Sequence, residues 1–85
     1  MDCIQRFDAV RSKAGHDSGR LYLVTDIRGG RAVLCDGKIR KLARPKVKNL
    51  KHIELVRKAA LRPDAQETTD RYLRKLLAAV SRETN

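Results

Sequence analysis

The residues "LYLVTDIRGGRAVLCDG", 21–37, decide how this chain folds. Leu21, Leu23, Thr25 and Ile27 alternate with Tyr22, Val24 and Asp26, the period-two pattern of a strand with one very apolar face. Gly29-Gly30 then interrupts the alternation, and a type I′ hairpin turn needs φ > 0 at both of its central positions. Ala32 to Cys35 reads as the returning strand. Asp36-Gly37 repeats the turn signal ahead of "KIRKLAR", 38–44, where Ile39 and Leu42 are the inward-facing candidates. Three strands joined by turns this short predict a tight meander, and in a chain of 85 residues that means a small barrel or a strongly curled sheet.

Working outward, Phe7, Ala9 and Val10 with Arg11 and Lys13 predict a preceding strand that ends near Ala14. The polar turn "SKAGHDSGR", 12–20, joins it to the strand at Leu21. On the other side Pro45 ends the meander, because proline cannot donate to a ladder. Val47, Leu50, Ile53, Leu55 and Val56 supply apolar positions for a closing strand, placed at His52 to Leu55 after a turn near Asn49. "ELVRKAAL", 54–61, reads alternatively as a short helix. The expected architecture is mainly β over residues 1–63.

From Asp64 onward the period changes. Tyr72, Leu73, Leu76, Leu77 and Val80 fall on one helical stripe, predicting an amphipathic helix from Asp64 to Arg82 within a second segment, 64–85. Asp64 with Glu67 three residues on forms a capping box, and Thr69 is a competing cap. Glu67–Arg71 and Asp70–Arg74 are i, i+4 pairs in the favourable order.

The chain carries 20 Lys and Arg against 10 Asp and Glu, a net charge of +10. All of the excess lies in residues 1–63, with 16 basic and 6 acidic side chains, while 64–85 has 4 of each. Such a balance in a small domain favours a polyanionic partner, most often nucleic acid. Aromatics are confined to Phe7, Tyr22 and Tyr72, too few for a base-stacking platform. No apolar run approaches the ~20 residues that span a bilayer. "MDCIQRFDAV" has no secretory h-region, so the expected location is cytoplasmic with no membrane partner.

The strongest functional signal is "KIRKLARPKVKNLK", 38–51. It holds Lys38, Arg40, Lys41, Arg44, Lys46, Lys48 and Lys51, seven cations with no acid. In an extended segment, alternation would send Ile39 inward and turn Lys38 and Arg40 outward as a row of cations. Such a row neutralises successive phosphates and releases their counterions. Lys13 and Arg20 flank the glycine turn, whose backbone N–H groups are candidate phosphate donors. That turn lacks the G-x-x-x-x-G-K spacing of a nucleotide-hydrolysing loop.

Catalysis finds little support. His16 and Asp17 are neighbours in sequence, a poor arrangement for an oriented base–carboxylate pair, and Ser12, Ser18 and Cys35 have no recognisable base partner. Cys3, Cys35, His16 and His52 show no paired metal-ligand spacing. The expectation is a binding protein rather than an enzyme, with no cofactor and no metal.

The segments "VRSKAGHDSGRLYLVTDI" and "AVLCDGKIRKLARPKVKNLKHI" resemble the KOW-containing large-subunit ribosomal protein fourteen of eukaryotes and archaea. They are closer still to the short bacterial KOW-domain RNA-binding proteins related to it. The pattern is a strand ending in S-K-A-G-R-D-K-G-R, a Val-rich strand, a D-G-(K/R)-x-R-K hairpin and a P-K-x-K-N-L-K-H stretch. It spans Val10 to Ile53, about half of the chain. The resemblance implies an SH3-like barrel that binds RNA, large-subunit ribosomal RNA above all, with ribosomal proteins as further partners. The matching basic positions are Lys13, Arg20, Lys38, Arg40, Lys41, Lys46, Lys48 and Lys51. His16 and Ser18 stand where the pattern has Arg and Lys, which makes this turn less cationic. The alternatives are a protein-interaction module, with Tyr72, Leu73, Leu76, Leu77 and Val80 as a docking or dimer surface, and a duplex-DNA binder.

Overall fold

The alternating residues of 21–35 form the middle of a five-stranded antiparallel sheet with strand order β4-β3-β2-β1-β5. The structure, a computed structural model, describes residues 3–61 and 68–84. Its elements are β1 (Ala9–Ser12), β2 (Leu21–Arg28), β3 (Arg31–Cys35), β4 (Lys46–Asn49), a single 3-10 turn (Leu50–His52), β5 (Ile53–Arg57) and α1 (Asp70–Thr84). β4 and β5 are the two edges and do not pair with each other, so the ladder stays open where a closed barrel was expected.

β1 begins two residues after Phe7 because Phe7 takes a left-handed φ of 74°, which no strand residue adopts. The Gly29-Gly30 hairpin is present, with Arg28 opposite Arg31. Only Gly29 has a positive φ, 61°, so the turn uses the left-handed region once, in the manner of type II′ rather than the expected type I′.

β2 is buried on both faces, where one apolar face was expected. Tyr22 and Val24 join Val10, Ala32, Leu34 and Ile53 in one cluster. Leu23 and Cys35 point the other way and meet Leu61 and Leu73. The second face is closed by α1, whose Leu77 and Val80 pack on Ala9. A fully buried aliphatic side chain contributes about 1.5–3 kcal/mol, so the helix is integral to the core. The pairing of β2 with β3 slips between Val24 and Asp26, a bulge at Thr25. The bulge moves Ile27 from the Leu21/Leu23 side to the Tyr22/Val24 cluster, and such bulges sharpen the bend of a sheet.

At α1, Thr69 is the cap: its Oγ1 accepts from Tyr72 N at 3.1 Å. The Asp64–Glu67 capping box, and with it the Glu67–Arg71 pair, falls outside the described residues. Asp70 and Arg74 do not pair as expected. The Asp70 carboxylate instead accepts from Leu42 N (2.8 Å), and Arg74 Nη1 donates to the Gly37 carbonyl (2.6 Å). Of the apolar stripe, Leu73, Leu77 and Val80 are buried in the chain's own packing, so most of the face expected as a docking or dimer surface is spent inside the fold, with only an edge of Leu77 reaching a surface groove. Tyr72 and Leu76 are half-buried in the same packing. Among the described residues no helix is long and apolar enough to cross a membrane.

The segment 38–44, expected as a strand, is a loop. Asp36 Oδ1 accepts from the backbone N–H groups of Lys38 (2.9 Å) and Arg40 (2.8 Å). Asp36 N and Gly37 N in turn donate to the Arg40 carbonyl, and Arg44 N donates to that of Lys41. Backbone donors that a ladder would need are therefore satisfied locally or, at Leu42, by the helix. Gly37 sits at φ 77° so close to α1 that a Cβ there would lie 2.2 Å from the Asp70 carbonyl oxygen. Only glycine permits this approach.

Candidate nucleic-acid interface

The two polar loops that carry most of the candidate cations leave the same end of the β1–β2–β3 meander. One, 13–20, follows β1, and the other, 36–45, follows β3, which runs in the same direction. Gly15 (φ 85°) and Gly19 (φ 91°) bend the first loop. Its backbone donors turn inward: Ser18 N bonds the Gly15 carbonyl, Gly19 N that of Ser12, and Arg20 N that of Asp17. These three groups are occupied, so the loop is a self-satisfied turn rather than a phosphate cradle at those positions.

At its centre sits Asp17, 7% exposed. Its Oδ1 accepts from Ser12 Oγ (3.0 Å) and Lys48 Nζ (2.6 Å). Its Oδ2 accepts from Tyr22 OH (2.9 Å) and Lys46 Nζ (2.9 Å). Burial alone raises the pKa of this carboxyl, but the bonds from Lys48, Lys46, Tyr22 and Ser12 outweigh it and hold the group well below the usual carboxylate range. Burial, and then the hydrogen bond to Asp17 and its charge, push the Tyr22 hydroxyl up to about 12.

Lys46 and Lys48 are therefore not part of an outward row of cations. Lys48 is almost enclosed, and its three ammonium donors meet Asp17 Oδ1, Ser12 Oγ (2.8 Å) and the Ala14 carbonyl (2.6 Å). Alternation then sends Val47 out, 54% exposed, which inverts the expected polarity of this segment. Ile39 is inverted too: it was expected inward and is 57% exposed.

The remaining candidates are differently placed. Lys13, Arg20, Lys38, Lys41, Arg44 and Lys51 are exposed, and Arg40 is half-buried. Among the described residues none of these seven forms an ion pair. Lys51 lies in the 3-10 turn beside His52, whose carbonyl accepts from Lys13 N at 2.8 Å, so Lys13 and Lys51 are neighbours. Arg20 and Lys38 meet across a groove with a third cation, Arg74 from α1. The neutral charge of the helix segment gave no reason to single out Arg74. The only sequence signal for it was its place one turn after Asp70. Asp17 likewise becomes the partner of two lysines, and its one sequence signal is that it is a lone acid in a cationic stretch.

Cys35 is buried, and burial pushes its thiol pKa up, which disfavours the thiolate. Among the described residues no group of three His, Cys, Asp or Glu side chains could hold a metal. Neither the protein-family models nor the curated proteins compared with this chain gave a match.

Proposed function

We propose that this protein is an RNA-binding module of the KOW type, its open five-stranded sheet a variant of the SH3-like barrel, that grips structured RNA through its loop cations. The observation that carries this reading is the set of seven cations, Lys13, Arg20, Lys38, Arg40, Lys41, Arg44 and Lys51, held in two loops and one turn without an acidic partner among the described residues. Fixed, solvated cations around a rigid small sheet suit a phosphate backbone, because they neutralise it without first giving up ion pairs of their own. The sparse aromatics favour reading of shape and charge over reading of bases. By its resemblance to the large-subunit proteins, the partner in this reading is ribosomal RNA, met in the cytoplasm.

The test is the salt dependence of binding to a structured ribosomal RNA fragment. If five to seven phosphates are neutralised, log K falls against log salt with a slope of roughly −3.5 to −6. Replacing Lys38, Arg40, Lys41 and Arg44 together with Gln shallows that slope by about 3 and leaves the fold intact. An unchanged slope refutes the interface, and stronger binding to duplex DNA at the same salt reassigns the partner.

A further inference from the structure

One cavity joins both loops to the helix. A groove of about 490 Å³ runs between the start of β2, the 36–40 turn and α1. Its apolar walls are Leu21, Ile39 and Leu77, and its cations are Arg20, Lys38 and Arg74. The volume lies within the range of small-molecule sites, and so does the mixture of aliphatic walls with a few converging polar groups.

We propose that this groove receives a single unpaired nucleotide of the bound RNA, the base between the aliphatic walls and its phosphate among the three cations. This rests on the RNA-binding reading and sharpens it. A simple anion would need no apolar walls, and an apolar side chain would need no trio of cations. A nucleotide has a flat, weakly polar ring and an anionic end. The one acid at the groove, Asp36, has Oδ1 taken by the N–H groups of Lys38 and Arg40, and the four charged groups together leave an excess of two positive charges. Arg74 spends one donor on the Gly37 carbonyl, which fixes its guanidinium and leaves its other N–H groups for a phosphate. Ile39, 57% exposed, lines this same groove and gives the ring an aliphatic side chain to pack on.

The test compares a stem–loop RNA with a fully paired duplex of equal length and equal phosphate number, by fluorescence anisotropy at one salt concentration. Wild-type protein is expected to favour the stem–loop about tenfold, a difference that two or three buried aliphatic contacts can supply. Ile39→Ala, at an exposed position that leaves the fold undisturbed, removes most of that preference and leaves duplex affinity unchanged. Lys75→Gln, an exposed charge on the helix outside the groove, leaves the preference intact. Methyl resonances of Leu21, Ile39 and Leu77 shift with the stem–loop and not with the duplex. Equal binding of the two RNAs overturns the groove assignment while the RNA-binding reading stands. Binding of neither overturns both. Shifts of the same three methyl resonances with a polyglutamate peptide of matched charge, in the absence of RNA, overturn the nucleotide assignment in favour of a peptide site.

Discussion

Two halves of one acid-free run, 38–44 and 46–48, end in opposite states. In the first, Lys38, Lys41 and Arg44 stand in solvent on a loop pinned to α1 through Gly37, Leu42 and Arg74. In the second, Lys46 and Lys48 turn inward and spend their charge on Asp17, which lies 31 residues before Lys48 in the chain. The lysines themselves are alike. What separates them is whether the tertiary fold delivers a carboxylate, and a lysine that has one supports the fold rather than the interface.

The largest break in this comparison comes from Asp17→Ala. It leaves Lys48 nearly enclosed without a counter-charge and is expected to cost about 3 kcal/mol by urea denaturation, the low end for a buried pair because Lys46 keeps some solvent. Lys41→Gln, its exposed counterpart, is expected to stay within about 0.5 kcal/mol. The acid limb follows the same logic. The folded-state pKa of Asp17 is depressed, so its stabilisation is complete above the unfolded carboxylate value of about 4 and is lost as pH falls below that. Asp17→Ala flattens the stability profile over that window, and a profile that keeps its acid slope would place the charge coupling elsewhere.

Next in size is Gly37→Ala, which attacks the other half. A methyl group at φ 77°, 2.2 Å from the Asp70 carbonyl oxygen, forces the loop off the helix. The expected cost is about 2 kcal/mol, read as a lowered melting temperature together with faster amide exchange at Leu42. Unchanged exchange at Leu42 would mean that Gly37 does not hold the loop.

The smallest of the destabilising changes is Tyr22→Phe. Losing one hydrogen bond to Asp17 Oδ2 is expected to cost about 1 kcal/mol. Because the folded Tyr22 pKa is raised from its ordinary value near 10 to about 12, its contribution is whole below pH 10 and fades as pH climbs toward 12. The Phe variant loses that alkaline slope, which denaturation at pH 9 and pH 11.5 detects.

The legible parts of the fold were those written locally. Leu21 to Ile27 announced β2, Gly29-Gly30 its hairpin, and the stripe from Tyr72 to Val80 the helix, with Thr69 among the two caps considered. The candidate cations were legible as a set, while their sorting into free and paired was not. Nothing within 38–51 distinguishes Lys41 from Lys48, since the distinction depends on where the 13–20 loop is carried. The strand expected at 38–44 does not form for a related reason. Asp36 offers the backbone a local turn, and the helix completes it from 28 residues away at Asp70.

By itself the sequence determined a mainly β chain with its glycine turns, its C-terminal helix and its surplus of positive charge, because each of these is set by neighbours within a few residues. Tertiary structure alone decided that β2 is buried on both faces, that Lys46 and Lys48 point inward, and that Arg20, Lys38 and Arg74 share a groove. The physical reason is common to all three. Burial and charge pairing depend on which distant group arrives at a surface, and period-two or period-3.6 patterns carry no record of that group.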